Sequence, residues 1–294
     1  MTAADCLLWL CRWLSDGAAL WLWGSALFLQ ALVPAGWRMA MWQDLAGGQR
    51  RARLVVLLAT LGALPLHSVI LADGWAEGWQ AATLLSVMRD TAMGRAWCWQ
   101  LTAALAWWLA GCRRGSALTP ASSALLGGGL LASLTLSGHA AMHGGGLGLL
   151  HRANDLLHLL SSGAWLGALP LVRQLLRQPA PVPPAVLRQI MLRFSSIGHG
   201  VVLVVMASGL ANLYLINGSL LPDGPAPYAI LLALKLLMVA GMTLLALYNR
   251  YHLVPRLACD AEARPCLRRA VRVQIALCLI ALLLLACLGT LDPH

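Results

Sequence analysis

Apolar runs long enough to cross a membrane recur along almost the entire chain, and they limit the fold more than any other feature of the sequence. A helix needs about 20 predominantly apolar residues to span a bilayer, and about eight such runs follow one another here with short connectors between them. With 60% hydrophobic residues, 11% charged residues and a mean hydropathy of +0.73, the chain has no stretch left over for a soluble domain. Lipid cannot hydrogen-bond a backbone, so runs of this length must satisfy their own amides as helices. The expected fold class is all-α, a polytopic membrane protein of about eight transmembrane helices.

The expected spans are Asp16–Ala35, Leu54–Ala72, Ala96–Cys112, Ala117–Leu136, Asn154–Leu175, Ile197–Ile216, Tyr228–Tyr248 and Val271–Gly289. A segment bearing Trp9 and Trp13 precedes the first and is expected at the interface, where indole rings prefer to sit. Gly127-Gly128-Gly129 in the fourth span, and Gly163 and Gly167 at GxxxG spacing in the fifth, predict close helix approach. Pro179, Pro181, Pro183 and Pro184 mark a non-helical connector. The chain divides into residues 1–136 (spans one to four) and 137–294 (a loop rich in metal-ligand residues and spans five to eight), forming a single integral membrane unit.

A net charge of +10 would suit nucleic acid if it were gathered on one face, but here it is scattered through connectors and reads as a topology signal. Assigned to alternate sides, Arg38, Arg50, Arg51, Arg53, Arg113, Arg114, Arg173, Arg177, Arg188, Arg193, Arg250, Arg256, Arg264, Arg268, Arg269 and Arg272 fall together, which is 16. Arg12, Arg89, Arg95 and Arg152 fall on the other side, which is 4, and Lys235 lies within a span. The positive-inside rule makes the larger set cytoplasmic and places both termini in the periplasm. The N-terminus has no basic n-region and no clear cleavage site, and is read as mature chain. The 8 cysteines form no CxxC pair and read as small hydrophobes, with Cys6/Cys11 or Cys259/Cys266 as the alternative pairings.

Within this frame the stretch Ser137–Leu169 stands apart, because it holds His139, His143, His151 and His158, half of the chain's 8 histidines. The topology puts His139, Met142 and His143 in an outer connector, with His158 about one turn inside span five and His67 roughly 7 Å below the outer end of span two. Imidazole with thioether suits copper: the thioether favours Cu(I), and histidine accepts both oxidation states. His151, Asp155 and His158 follow at i, i+4 and i+7, one stripe if the helix starts early enough. An ionisable residue inside a membrane helix is functional by default, which applies to Asp155, His158 and Lys235. Asn212 lies at similar depth, and Asp155 is the expected partner of Lys235. The metal-site candidates are therefore His67, His139, Met142, His143, Asp155 and His158, with Asn212 and Lys235 in support.

Ser137-Gly138-His139-Ala140, then Asn154-Asp155-Leu156-Leu157-His158 leading into Gly163-Ala164-Trp165-Leu166-Gly167, resembles the CopD family of bacterial inner-membrane copper-resistance proteins. So does the set Arg193-Phe194-Ser195, Ser208-Gly209-Leu210, Asn212, Tyr228, Lys235, Asn249-Arg250 and Pro255. The resemblance implies copper movement across the cytoplasmic membrane, inward from a separate periplasmic carrier of the CopC type, with His139, Asp155, His158, Asn212 and Lys235 as the polar positions. No hydrolytic or ATP-binding motif occurs, so no enzymatic activity is expected. The alternative is a membrane redox protein in which His67 and His158 ligate haem b as a bis-imidazole pair.

Overall fold

A computed structural model describes residues 2–112, 118–177, 181–221, 225–257, 259–260 and 262–291. Arg113, Arg114 and Pro179, used above for topology and for the connector, lie outside the described residues. The chain is 87% helical with no strand among the described residues, which is the all-α architecture expected of it. In order the helices are α1 (Ala3–Leu32), α2 (Ala35–Asp44), α3 (Ala46–Leu71), α4 (Trp75–Gly78), α5 (Ala81–Asp90), α6 (Ala92–Cys112) and α7 (Pro120–Leu134). A 3-10 turn at Gly138–Ala141 leads to α8 (Gly145–Leu166), α9 (Leu169–Leu175), α10 (Pro184–Asn217) and α11 (Ala226–Tyr248). A π-helical turn at Asn249–Leu253 precedes α12 (Val254–Arg256) and α13 (Ala263–Leu288).

Among the described residues five stretches, against the about eight expected, are long and apolar enough to cross a membrane: Ala46–Leu71, Gly145–Leu175, Pro184–Asn217, Ala226–Arg256 and Ala263–Leu288. Pro120–Leu134 is apolar but only 15 residues long. The first helix differs from expectation. Thr2 and Asp5 form a capping box that starts α1 well before Asp16, so Trp9 and Trp13 sit on a continuous helix. Their indoles tie α1 to the end of the chain, Trp9 Nε1 donating to Thr290 Oγ1 at 2.7 Å and Trp13 Nε1 to the Leu279 carbonyl at 2.9 Å.

α1 is the centre of the bundle, packed on α3, α7, α8 and α13. It meets α8 through Gly24, Gly163 and Gly167, as the GxxxG spacing predicts: a Cβ on Gly24 would overlap the Gly163 carbonyl and come within 2.8 Å of Gly167 Cα. The triple glycine of α7 works differently. A Cβ on Gly127 would lie 2.8 Å from the Trp107 ring and 3.0 Å from Trp23, so it is indoles rather than a neighbouring backbone that fill the groove, while Gly129 faces open space. All eight cysteines are free thiols, and only Cys278 is buried.

The bundle has two chemically distinct ends. At one, Arg12 Nη1 donates to the Gly289 carbonyl at 2.9 Å, His139 packs edge-on to Tyr228 with centroids 6.4 Å apart, and Tyr228 donates to Asn217 Oδ1 at 3.1 Å. The start of α1, the start of α8, the end of α10, the start of α11 and the end of α13 therefore converge there with the histidine-rich turn. At the other end Arg264 caps the carbonyls of Leu175 and Arg177, at 3.2 and 2.7 Å, and Arg250 donates to Ser195 Oγ at 2.8 Å.

Candidate functional site

The start of α8 decides the site. Gly145, at φ +60°, turns the chain into a helix that begins six residues before His151, so His151, Asp155 and His158 do share one stripe. Asp155 consequently lies in the third turn of α8, beyond reach of the N-terminal amides, and its carboxylate must be satisfied by another helix.

That helix is α10. Asn212 Nδ2 donates to Asp155 Oδ1 at 2.9 Å, and Asn154 Nδ2 donates to Asn212 Oδ1 at 2.7 Å and to the Ser208 carbonyl at 2.9 Å. Asn212 is buried and spends both ends of its amide in this zipper. Lys235, on α11, interacts electrostatically with Asp155, in keeping with their expected pairing, and also with His158.

His158 is oriented by Ser208 of α10 rather than by Asp155 on its own helix. Ser208 Oγ donates to the Val204 carbonyl at 2.6 Å, so towards the imidazole it acts as an acceptor. The ring therefore donates to acceptors on α10, with Ser208 Oγ 3.0 Å from Nδ1 and the Val205 carbonyl also bonding the imidazole; with the proton on Nδ1, the lone pair on Nε2 is the one that can meet a metal. Gly209 makes the seat: a Cβ there would come within 3.1 Å of His158 Cε1. Ser208-Gly209 is thus a polar contact and a clearance in adjacent residues.

The outer turn is arranged otherwise than its composition suggested. His143 Nδ1 lies 3.1 Å from Nδ1 of His151, which is 1% exposed, while His139 Nε2 faces the Leu288 carbonyl at 3.3 Å and Met142 is 45% exposed. The six candidates do not form a single ligand sphere: among the described residues no three His, Cys, Asp or Glu side chains gather closely enough to hold one ion. His67 is the outlier. It sits on α3, which packs on α1, α5 and α6, whereas α8 packs on the other flank of α1. The charged neighbour of His67 is Arg12 of α1, whereas His158 is held by α10.

Three members of the site went unrecognised in the sequence. His151 stands in the stripe but not among the metal-site candidates. Asn154 was seen only as part of a motif. Asp16, on α1, interacts electrostatically with both Arg12 and Asp155, and nothing local marks it.

Copper resistance protein D-like N-terminal domains match residues 1–149, and copper resistance protein D matches residues 188–288. The chain is 28% identical to the inner membrane protein YebZ of Escherichia coli over 285 residues, covering 92% of each. It is 30% identical to copper resistance protein D of Pseudomonas syringae pv. tomato over 245 residues, 76% of this chain and 75% of that one. The chain belongs to the copper resistance protein D family. Residues 150–187, which carry His151, Asp155 and His158, fall between the two matched segments, so these residues rest on their geometry. No solved structure matches.

Proposed function

We propose that this protein resides in the bacterial inner membrane and moves copper from the periplasm to the cytoplasm, with the histidine end outermost. The observation that carries the reading is His158, an imidazole inside a membrane helix whose Nδ1–H is fixed on Ser208 so that Nε2 is left to meet an ion. The inner-membrane assignment follows the relative named for that location, and the orientation follows the concentration of arginine at the opposite end. Eight spans with both termini outside remain the topology that agrees with this charge distribution.

Copper is the cargo. It reaches the outer turn from a separate periplasmic carrier of the CopC type, meets His139, Met142 and His143, and passes to His158. Asp155 supplies negative charge beside the path, with one oxygen held by Asn212, and Lys235 balances that charge when no cation is present. His67 belongs to this reading only as a flanking group beyond α1.

Cellular copper, measured by mass spectrometry in a strain expressing the chain, tests the proposal. His158→Ala and Asp155→Asn should each reduce accumulation to the level of cells lacking the protein, at unchanged membrane abundance. Accumulation equal to that of the unmodified chain in both variants removes transport as the function.

A further inference from the structure

The contact between His143 and His151 has no role in the α8–α10 zipper, and the turn carrying it is shaped to make it. Gly145 takes a left-handed backbone at φ +60°, which side-chain-bearing residues rarely adopt. Three residues on, a Cβ at Gly148 would overlap the His143 carbonyl oxygen and lie 2.8 Å from its carbon. Two glycines thus fold His143 back over the first turns of α8, where its ring meets the buried ring of His151 with centroids 5.2 Å apart.

We infer that His143 and His151 form a second metal site, a Cu(I) site at the outer surface separate from His158. Only the choice of ion rests on the transport reading. At the ~2.0–2.1 Å metal–nitrogen distances of first-row ions, two nitrogens 3.1 Å apart subtend about 100° at a shared ion. That is close to a tetrahedral angle and far from a linear one, so the pair calls for a third ligand. Met142, the preceding residue of the turn, supplies a thioether, which favours Cu(I). His139 interacts electrostatically with His151 and is the other side chain at hand. Only one of the two facing nitrogens can carry a proton in the empty pair. Binding moves that proton to Nε2 of the same ring through water, which half-buried His143 can reach, so the ring stays neutral and no net proton is required.

The test is a Cu(I) titration of the purified full-length chain in detergent, under reductant and in competition with bicinchoninate. The unmodified protein should bind one more tight equivalent than His143→Ala or His151→Asn, each weakening that equivalent by at least about 100-fold, beyond the 10–100-fold typical of outer-shell partners. Gly148→Ala removes no ligand and should weaken the same equivalent, because the turn can no longer close. His158→Ala should leave it in place, which separates this site from the transport reading and lets either fail alone. Should His151→Asn not fold, His143→Ala, a change in the turn, carries the test. Stoichiometry and affinity unchanged in His143→Ala overturn the inference.

Discussion

The two ends of the bundle are built from the same helices and solve opposite problems. At the arginine end, cationic side chains reach out to backbone carbonyls, as Arg264 does to Leu175 and Arg177, and the chemistry is that of helix ends meeting a polar phase. At the histidine end the polar groups point inward. Asn154, Asp155 and His158 of α8 are matched by Ser208 and Asn212 of α10, so groups costly to place in lipid are satisfied by one another. One end anchors the fold, and the other holds titratable and metal-ligating atoms in the bundle wall.

The seam that serves both ends is where α1 meets α8, and it offers the strongest perturbation. Gly24→Leu sets a side chain against the Gly163 carbonyl and Gly167 Cα, both backbone atoms with nowhere to move. Separating the helices should cost about 3 kcal/mol or more, at the upper end of overpacking effects. Thermal unfolding in detergent should show it, with Gly129→Ala, which faces open space, as the neutral control. If Gly24→Leu melts like the unmodified chain, the seam does not join the two ends.

Next in size is Asn212→Leu, which removes one of the two acceptors of Asn154 Nδ2 and the donor to Asp155 Oδ1 at once. Leaving buried polar partners unmade costs about 1–3 kcal/mol, and copper accumulation should fall with it. Arg250→Gln at the other end should leave accumulation unchanged. Equal loss from both variants would erase the distinction between the ends.

Much of this architecture was legible in the sequence, because the signals were local. Apolar run length marked the helices, and GxxxG spacing marked the α1–α8 seam on its α8 side. What was not legible is lateral. No periodicity shows that α1 packs on both α3, which carries His67, and α8, which carries His158. Gly144-Gly145-Gly146 has the composition of a helix breaker, yet Gly145 in its left-handed conformation begins α8, which makes His151 a buried partner. Asp16 meets Asp155 only through tertiary structure.

Ser208→Ala is a smaller and sharper test, because it removes the side-chain acceptor facing His158 Nδ1 and leaves the ring only the Val205 carbonyl. Freed to change tautomer, the ring should hold copper about 10–100-fold more weakly, as second-shell losses do. Stability should drop by about 1 kcal/mol. Gly209→Ala should act on the same ring by crowding Cε1. Copper affinity unchanged in both variants would mean that the seat on α10 does not orient the ligand.

The smallest expected effect lies at the arginine end, in the contact between His199 and Tyr251. His199 Nδ1 faces the Ser195 carbonyl at 3.1 Å, and because a carbonyl only accepts, Nδ1 carries the proton and Nε2 takes the Tyr251 hydroxyl at 3.1 Å. The tautomer is the same as that of His158, but Tyr251 is exposed and its hydroxyl already occupies the lone pair a metal would need. Tyr251→Phe gives up a single exposed hydrogen bond, about 0.5 kcal/mol or less by the lower range for such bonds, and should leave copper accumulation unchanged. A rise in accumulation would show that uncovering Nε2 opens a ligand on the inner path, and copper would then have its own imidazole at each end of the bundle.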